Sequence, residues 1–338
     1  MINISDFSDE QLAGQRLMVG FDGLDLNLDL KWLIDTLKVG GIVLFKNNIS
    51  TPDQTKNLCL SIQKHAIDCG QPPLFIAIDQ EGGVVSRLDK PFTQFPGNPS
   101  MRNENDAHEF AKITAFELNS LNVNMNLAPV MDVESRSVDS IMAKRAFGDD
   151  PAWVSKLGVR VIKTLQRNNI MAVAKHFPGI GRTTLDSHLD KPVLESDMLS
   201  LENSDLVPFS AAIKHGVTGI MLSHIVYKSI DNKWPASLSI KIASHLLRDH
   251  MGYNGLVLTD DMDMGAIKKY FDLTSVIKQT FTADIDLTLI CHKGPNIEKA
   301  FDQMLSQIKA GKDKRKKALA SVERIMKTKL KYLSSTSL

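Results

Sequence analysis

Eight short apolar runs recur along the chain, and each is followed by a longer segment carrying helix signals. They read RLMVGF (16–21), GIVLF (41–45), LFIAID (74–79), VNMNLAP (123–129), MAVAKHF (171–177), GIMLSHI (219–225), GLVLTD (255–260) and LTLICH (287–292). Near-continuous hydrophobicity is what a parallel strand needs when both its faces are covered. The intervening segments open on helix start signals: Ser50-Thr51-Pro52, Asp150-Pro151, and Ser237 before LSIKIASHLLRDH. Gly216 and Gly252 stand where helices should end. Strand and helix alternating eight times predict an α/β fold, a (β/α)8 TIM-type barrel in a single domain over residues 1–338. The helical C-terminal segment, about 312–334, is expected to pack on or beside the barrel. A doubly wound sheet is the competing architecture, but the turn after the first strand, GFDGLDLNLDL, lacks the GxGxxG of a dinucleotide site.

Composition narrows the partners. Forty basic residues against 39 acidic ones leave a net charge of +1, too little field to hold a polyanion or a charged membrane surface. The basic run KDKRKK (312–317) lies in an amphipathic stretch and reads as a solvated helix face. Cys59, Cys69 and Cys291 lack metal-ligand spacing and suit a reducing compartment as free thiols. MINISDFSDEQLAG has no signal-peptide pattern, and no apolar run approaches a membrane span, so a cytoplasmic protein is expected. The sequence leaves the oligomeric state open.

In a barrel of this kind, chemistry gathers where strands end. Asp79, Asp132, Lys175, His176, Ser223, His224, Asp260 and Asp261 all fall at those ends. The stretch KHFPGIGRTTLDSH (175–188) crowds polar groups among Pro178, Gly179 and Gly181, which marks a loop. Asp186 and His188 are two residues apart, so in extended backbone they point to one side. A carboxylate there would orient the imidazole and stabilise its charged form, suiting His188 to general acid and base work. A loop histidine held by a turn aspartate gives the same spacing. Asp260 is delivered to the rim by an apolar strand and suits nucleophilic attack; with Asp261 it also fits a pair of helix N-terminal carboxylates. DDMDMG lacks the ligand alternation of a Ca²⁺ loop, and no metal is expected. Asp79, Arg87, Arg145, Lys175 and His176 are the fixed donors and acceptors that a hydroxyl-rich ligand requires. Local pairing, Arg87 with Asp89 and Arg145 with Asp149 or Asp150, is the structural alternative.

The pattern resembles glycoside hydrolase family 3, in its short β-N-acetylglucosaminidase (β-hexosaminidase) branch. The resemblance rests on GGIVLF (40–45), IAIDQEGG with Arg87, NMNLAPVMDV (124–133), KRAFGDDP (144–151), KHFPG with DSH, SHIVY (223–227) and GLVLTDDMDMGAI (255–267). It implies a retaining exo-hydrolase that releases terminal β-linked N-acetylglucosamine, with Asp260 as nucleophile, His188 as acid/base and Asp186 as its partner. Asp79, Arg87, Arg145, Lys175 and His176 would hold the sugar, and no cofactor is implied. It also implies imidazole in place of the second carboxylate usual in retaining enzymes, and peptidoglycan-derived fragments as substrates. A phosphorylase on the same barrel and a sugar sensor that has lost turnover are the alternatives. Ile180, Val84 and Asp284 replace the family's usual His, Arg and Gly. These departures bear on loop anchoring, on a polar contact near Asp79, and so on efficiency and substrate range.

Overall fold

The computed structural model describes residues 4–185, 187 and 192–334. Its centre is a closed barrel of parallel strands: β1 (Leu17–Val19), β2 (Gly41–Leu44), β3 (Phe75–Ile78), β4 (Met125–Asn126), β5 (Met171–Phe177), β6 (Gly219–Leu222), β7 (Leu256–Asp261) and β8 (Leu287–Ile290). Each strand pairs with its neighbours in chain order, and β1 closes the ring, with Met18 opposite both Gly41 and Leu289. The expected (β/α)8 barrel is what forms.

Within each apolar run, alternate residues serve different cores. Met18, Val43, Phe75, Ala77, Met171, Val173, Leu256, Leu258, Leu287 and Leu289 fill the barrel interior. Their neighbours Leu17, Val19, Ile42, Leu44, Ile76, Ile78, Ala172, Ala174, Val257 and Ile290 face the surrounding helices. Two buried faces explain why the runs are apolar throughout instead of alternating. Truncating one interior residue, such as Phe75→Ala, costs about 3–5 kcal/mol in a core packed this way.

The helices of the outer layer include α1 (Asp9–Gly14), α2 (Leu28–Asp35), α3 (Pro52–Asp68), α4 (Glu104–Ser120), α5 (Pro151–Arg167), α6 (Leu206–Lys214), α7 (Lys241–His250), α8 (Leu273–Thr282), α9 (Pro295–Lys309) and α10 (Lys312–Leu333). Thr51 caps α3 through Gln54 N, and Asp150 caps α5 through Ala152 N, each with proline at the first turn. On α5, Val154, Leu157, Gly158, Val161, Ile162 and Leu165 form the buried stripe that a 3.6-residue period requires. Gly216 and Gly252 take left-handed φ after α6 and α7. Ser237 does not cap α7. It lies in a separate turn, Ala236–Leu238, and its hydroxyl serves His224, while α7 begins at Lys241.

The end of α10 closes the base of the barrel, placing Ile325, Tyr332 and Leu333 in the interior cluster. In the basic run at its start, Arg315 pairs with Asp9, while Lys312, Lys316 and Lys317 are exposed. Asp284 has φ 54°, a left-handed conformation that glycine adopts most readily; its carboxylate pairs with Arg248 and Arg324. No helix among the described residues is long and apolar enough to cross a membrane.

Candidate active site

At the C-terminal rim of the barrel the strand ends surround a cavity of about 600 Å³. Such a volume lies within the range of about 300–1,000 Å³ usual for small-molecule sites. Asp79 follows β3, Lys175 and His176 lie in β5 where its register slips against β6, and Asp260 is the penultimate residue of β7. All four line the cavity, as do Arg87 and Arg145 from the loops above.

The side chains interlock. Lys175 Nζ lies 2.7 Å from Asp79 Oδ1 and 2.7 Å from Glu81 Oε1. Arg87 Nη2 donates to Asp79 Oδ2 at 3.0 Å, and Arg145 clamps Glu81 with both Nε (2.9 Å) and Nη2 (2.8 Å). Burial would raise the Asp79 carboxyl, but the charges of Lys175 and Arg87 more than reverse this and hold it well below its ordinary value. Glu81 is held down likewise, with burial opposed by Lys175 and Arg145. Burial also works against the charge on Lys175, and Asp79 and Glu81 overcome it, so its pKa is raised. The result is a rigid cage of charged donors and acceptors, each with a fixed partner.

The local pairings do not occur. Asp89 binds Lys46, Asp149 binds Arg136, and Asp150 caps α5. Val84 is 65% exposed, and Asp79 keeps both of its cationic partners without an arginine at that position.

Asp132 anchors the segment that leaves β5. Its Oδ1 accepts from the backbone N–H of His176 (3.2 Å) and Ile180 (2.9 Å), and its Oδ2 lies 2.8 Å from His176 Nδ1. Arg145 Nη2 approaches His176 Nε2 at 3.4 Å, so the tautomer protonated on Nδ1 satisfies both contacts. Ile180 is buried in the outer core and anchors this loop through its backbone N–H. Gly179 has φ 127°, and a Cβ there would stand 2.8 Å from the Cβ of Asp205; at Gly181 a Cβ would fall 1.8 Å from the carbonyl oxygen of Val133. These two glycines therefore let the loop lie flat on its neighbours. Tyr227 Oη donates to the Gly179 carbonyl at 2.7 Å, and Arg182 pairs with Asp205 at 2.9 Å.

The adjacent aspartates at the end of β7 are distinguished by their contacts. Asp261 Oδ1 accepts from the backbone N–H of Cys291 (2.9 Å) and Asp263 (3.1 Å), a structural use. Asp260 Oδ1 accepts from its neighbour's N–H at 2.8 Å, and its carboxylate faces the cavity. Burial opposes its charge, but the imidazoles of His224 and His176 outweigh it and lower its pKa. His224 Nε2 lies 2.8 Å from the Asp261 carbonyl, which only accepts, so that nitrogen carries a proton and Nδ1 accepts from Ser237 Oγ at 2.7 Å. Burial, partly offset by Asp260, lowers the His224 pKa.

The structure thus brings Asp79, Arg87, Arg145, Lys175, His176 and Asp260 to one cavity. Asp186 and His188 lie outside the described residues. Ser187, between them in sequence, lines the same cavity and its carbonyl accepts from Ala266 N at 3.0 Å. Sequence reasoning gave no role to Glu81, Asp132 or His224. Glu81 stands two residues after Asp79, so the same-side argument applied to Asp186 and His188 also identifies it.

The chain is 34% identical over 335 residues to Beta-hexosaminidase A of Pseudoalteromonas piscicida, spanning 91% of this chain and 56% of that protein. It is 34% identical over 263 residues to Beta-hexosaminidase of Nitrosomonas eutropha, covering 75% of this chain and 74% of the relative. The solved glycoside hydrolase family 3 beta-N-acetylglucosaminidase from Paenibacillus sp. str. FPU-7 superimposes with a TM-score of 0.95 at 33% identity, over 98% of this chain and 64% of that one. The chain therefore spans less than two thirds of the length of two of these relatives. Residues 9–328 match the Glycosyl hydrolase family 3 N terminal domain, and the chain belongs to that family.

Proposed function

We propose that this protein is a retaining exo-glycosidase that releases terminal β-linked N-acetylglucosamine, acting on carbohydrate fragments derived from peptidoglycan in the cytoplasm. The observation that carries the reading is Asp260, an ionised carboxylate facing a cavity whose wall is the cage of Asp79, Lys175, Glu81, Arg145 and Arg87. Such a cage offers a sugar's hydroxyls donors and acceptors that need no rearrangement on binding. The names of the relatives supply the sugar.

In the first step Asp260 attacks the anomeric carbon while protonated His188 donates to the departing oxygen, giving a covalent glycosyl-enzyme and the free alcohol. Neutral His188 then takes a proton from water, which attacks the same carbon and releases Asp260. Asp186 orients the imidazole in both steps. His176, pinned by Asp132 and Arg145, helps hold the sugar.

An aryl β-N-acetylglucosaminide tests the reading. Asp260→Asn is expected to lose on the order of 10³-fold or more in turnover with an unchanged melting temperature. Retained turnover would overturn the assignment of the nucleophile. Added phosphate should alter neither the rate nor the product. Appearance of a sugar 1-phosphate would make the protein a phosphorylase, and binding without release of the aryl alcohol would make it a sensor.

A further inference from the structure

At the opposite end of the barrel from the cavity, the last turns of α2 and α3 finish side by side. Asp35 is the final residue of α2, and His65 and Cys69 stand four residues apart at the end of α3, so both present to the same side. Asp35 Oδ1 lies 2.7 Å from His65 Nε2 and 3.0 Å from Cys69 Sγ, and the imidazole and sulfur are 3.8 Å apart. One ligand atom from each residue thus falls within 4.8 Å of the other two. Around a tetrahedral zinc ion such atoms stand about 3.3–3.5 Å apart. The present trio reaches that spacing when Asp35 retreats by roughly half an ångström and the imidazole and sulfur, 3.8 Å apart, close by about 0.3–0.5 Å.

The setting favours a cation. The carbonyl ends of two helices converge here, and each places partial negative charge at the cluster. Of the nearby lysines, Lys64 pairs with Asp68 at 2.6 Å, while Lys38 Nζ donates to the Asp35 carbonyl at 3.1 Å at the edge of the cluster. The donor set of thiol, imidazole and carboxylate matches a borderline divalent metal, whereas Ca²⁺ and Mg²⁺ take oxygen ligands. Asp35 is 42% exposed, which leaves room for water at a fourth position.

We propose that Asp35, His65 and Cys69 bind one zinc-class divalent cation and so tie α2 to α3, remote from the sugar cavity. The site combines a single cysteine with a histidine one helical turn before it and a carboxylate from the neighbouring helix. Its lack of a paired-cysteine motif explains why cysteine spacing gives no sign of it. On binding, the thiol proton of Cys69 passes to solvent as the sulfur–metal bond forms.

Titration of the full chain with Co²⁺ reads the site directly, because only a thiolate ligand produces a near-ultraviolet charge-transfer band. Cys59 and Cys291 are buried, so Cys69 is the accessible thiol. One Co²⁺ per chain, a charge-transfer band, and displacement by Zn²⁺ are expected. Cys69→Ser should abolish the band, while Asp35→Asn and His65→Gln should weaken binding by roughly tenfold or more. Glycosidase activity and the melting temperature without metal should be unchanged in all three variants, showing that they fold. Absence of the band, or binding undiminished in Cys69→Ser, would overturn the proposal. The second result would point to the rim cluster of Asp261, Asp263 and His292.

Discussion

Lys175 Nζ stands at 2.7 Å from two carboxylates that are two residues apart in sequence, and Glu81 is shared further with Arg145. Removing the charge of Glu81 alone leaves Arg145 without its bidentate partner and Lys175 with half of its compensation. Breaking a buried pair from one side costs about 3–5 kcal/mol, because the partner's charge remains desolvated. Glu81→Gln keeps one acceptor and is expected near the lower end, about 3 kcal/mol at pH 7 by urea unfolding. The sign with pH follows from the lowered carboxyl pKa. The ionised group contributes its stability above the ordinary carboxylate range, and the contribution is lost as pH falls through the folded value. The wild-type advantage should therefore shrink in acid. In the proposed role of the cage, holding the sugar, the substitution should lower kcat/KM by about 10²-fold. A variant with wild-type stability and kinetics would show that the cage is dispensable.

Between β5 and α6 the chain is held by contacts that cross from one element to another: Asp132 to His176 and Ile180, Tyr227 to Gly179, and Arg182 to Asp205. Asp205 is the weak member. It is buried, and its Oδ1 has no hydrogen-bond partner among the described residues. Burial outweighs the attraction of Arg182 and raises its pKa to about 6. A carboxyl raised in this way contributes stability that is fully present below its unfolded value, near 4, and is lost as pH rises through 6. The loss amounts to about 3 kcal/mol at neutral pH. Asn cannot ionise, so Asp205→Asn should gain on the wild type by up to about that amount between pH 4 and 7. Thermal unfolding across the range measures it, and parallel curves would sink the idea. The elements themselves differ in legibility. MAVAKHF is β5 residue for residue, because its apolar run needs no help from elsewhere. VNMNLAP shrinks to Met125–Asn126 as β4, and the amides of Asn124 and Asn126 add side-chain bonds to the backbone of Leu74, Ile76 and Gln80. Among the site residues, Asp79, Lys175 and Asp260 are legible because strand ends place them. The pairings of Glu81 with Arg145 and of Asp132 with His176 are not, since these partners lie 64 and 44 residues apart and only the closed barrel brings them together.

Across the whole molecule, the barrel is polar at one end and sealed at the other. The seal holds a buried amine: Lys329 of α10 lies beneath the interior cluster, its Nζ 2.7 Å from Gln15 Oε1 and 5.0 Å from the centre of the Phe75 ring. One neutral hydrogen bond and a ring face do not replace the water it gives up, and burial lowers its pKa to about 7. A lysine depressed in this way contributes stability above its unfolded value, near 10.4, and loses it as pH falls through 7. Near pH 7 the penalty is about 4–5 kcal/mol, against about 1–3 kcal/mol for leaving Gln15 Oε1 unpaired. Lys329→Met should therefore be the more stable protein at pH 6–7 by roughly 2 kcal/mol and the less stable one near pH 10, where the wild-type amine is neutral in both states. Urea unfolding at several pH values would reveal the crossing. A variant weaker by the same amount throughout would mean that Gln15 and Phe75 satisfy the charged ammonium, and that the base of the barrel tolerates a cation its composition argues against.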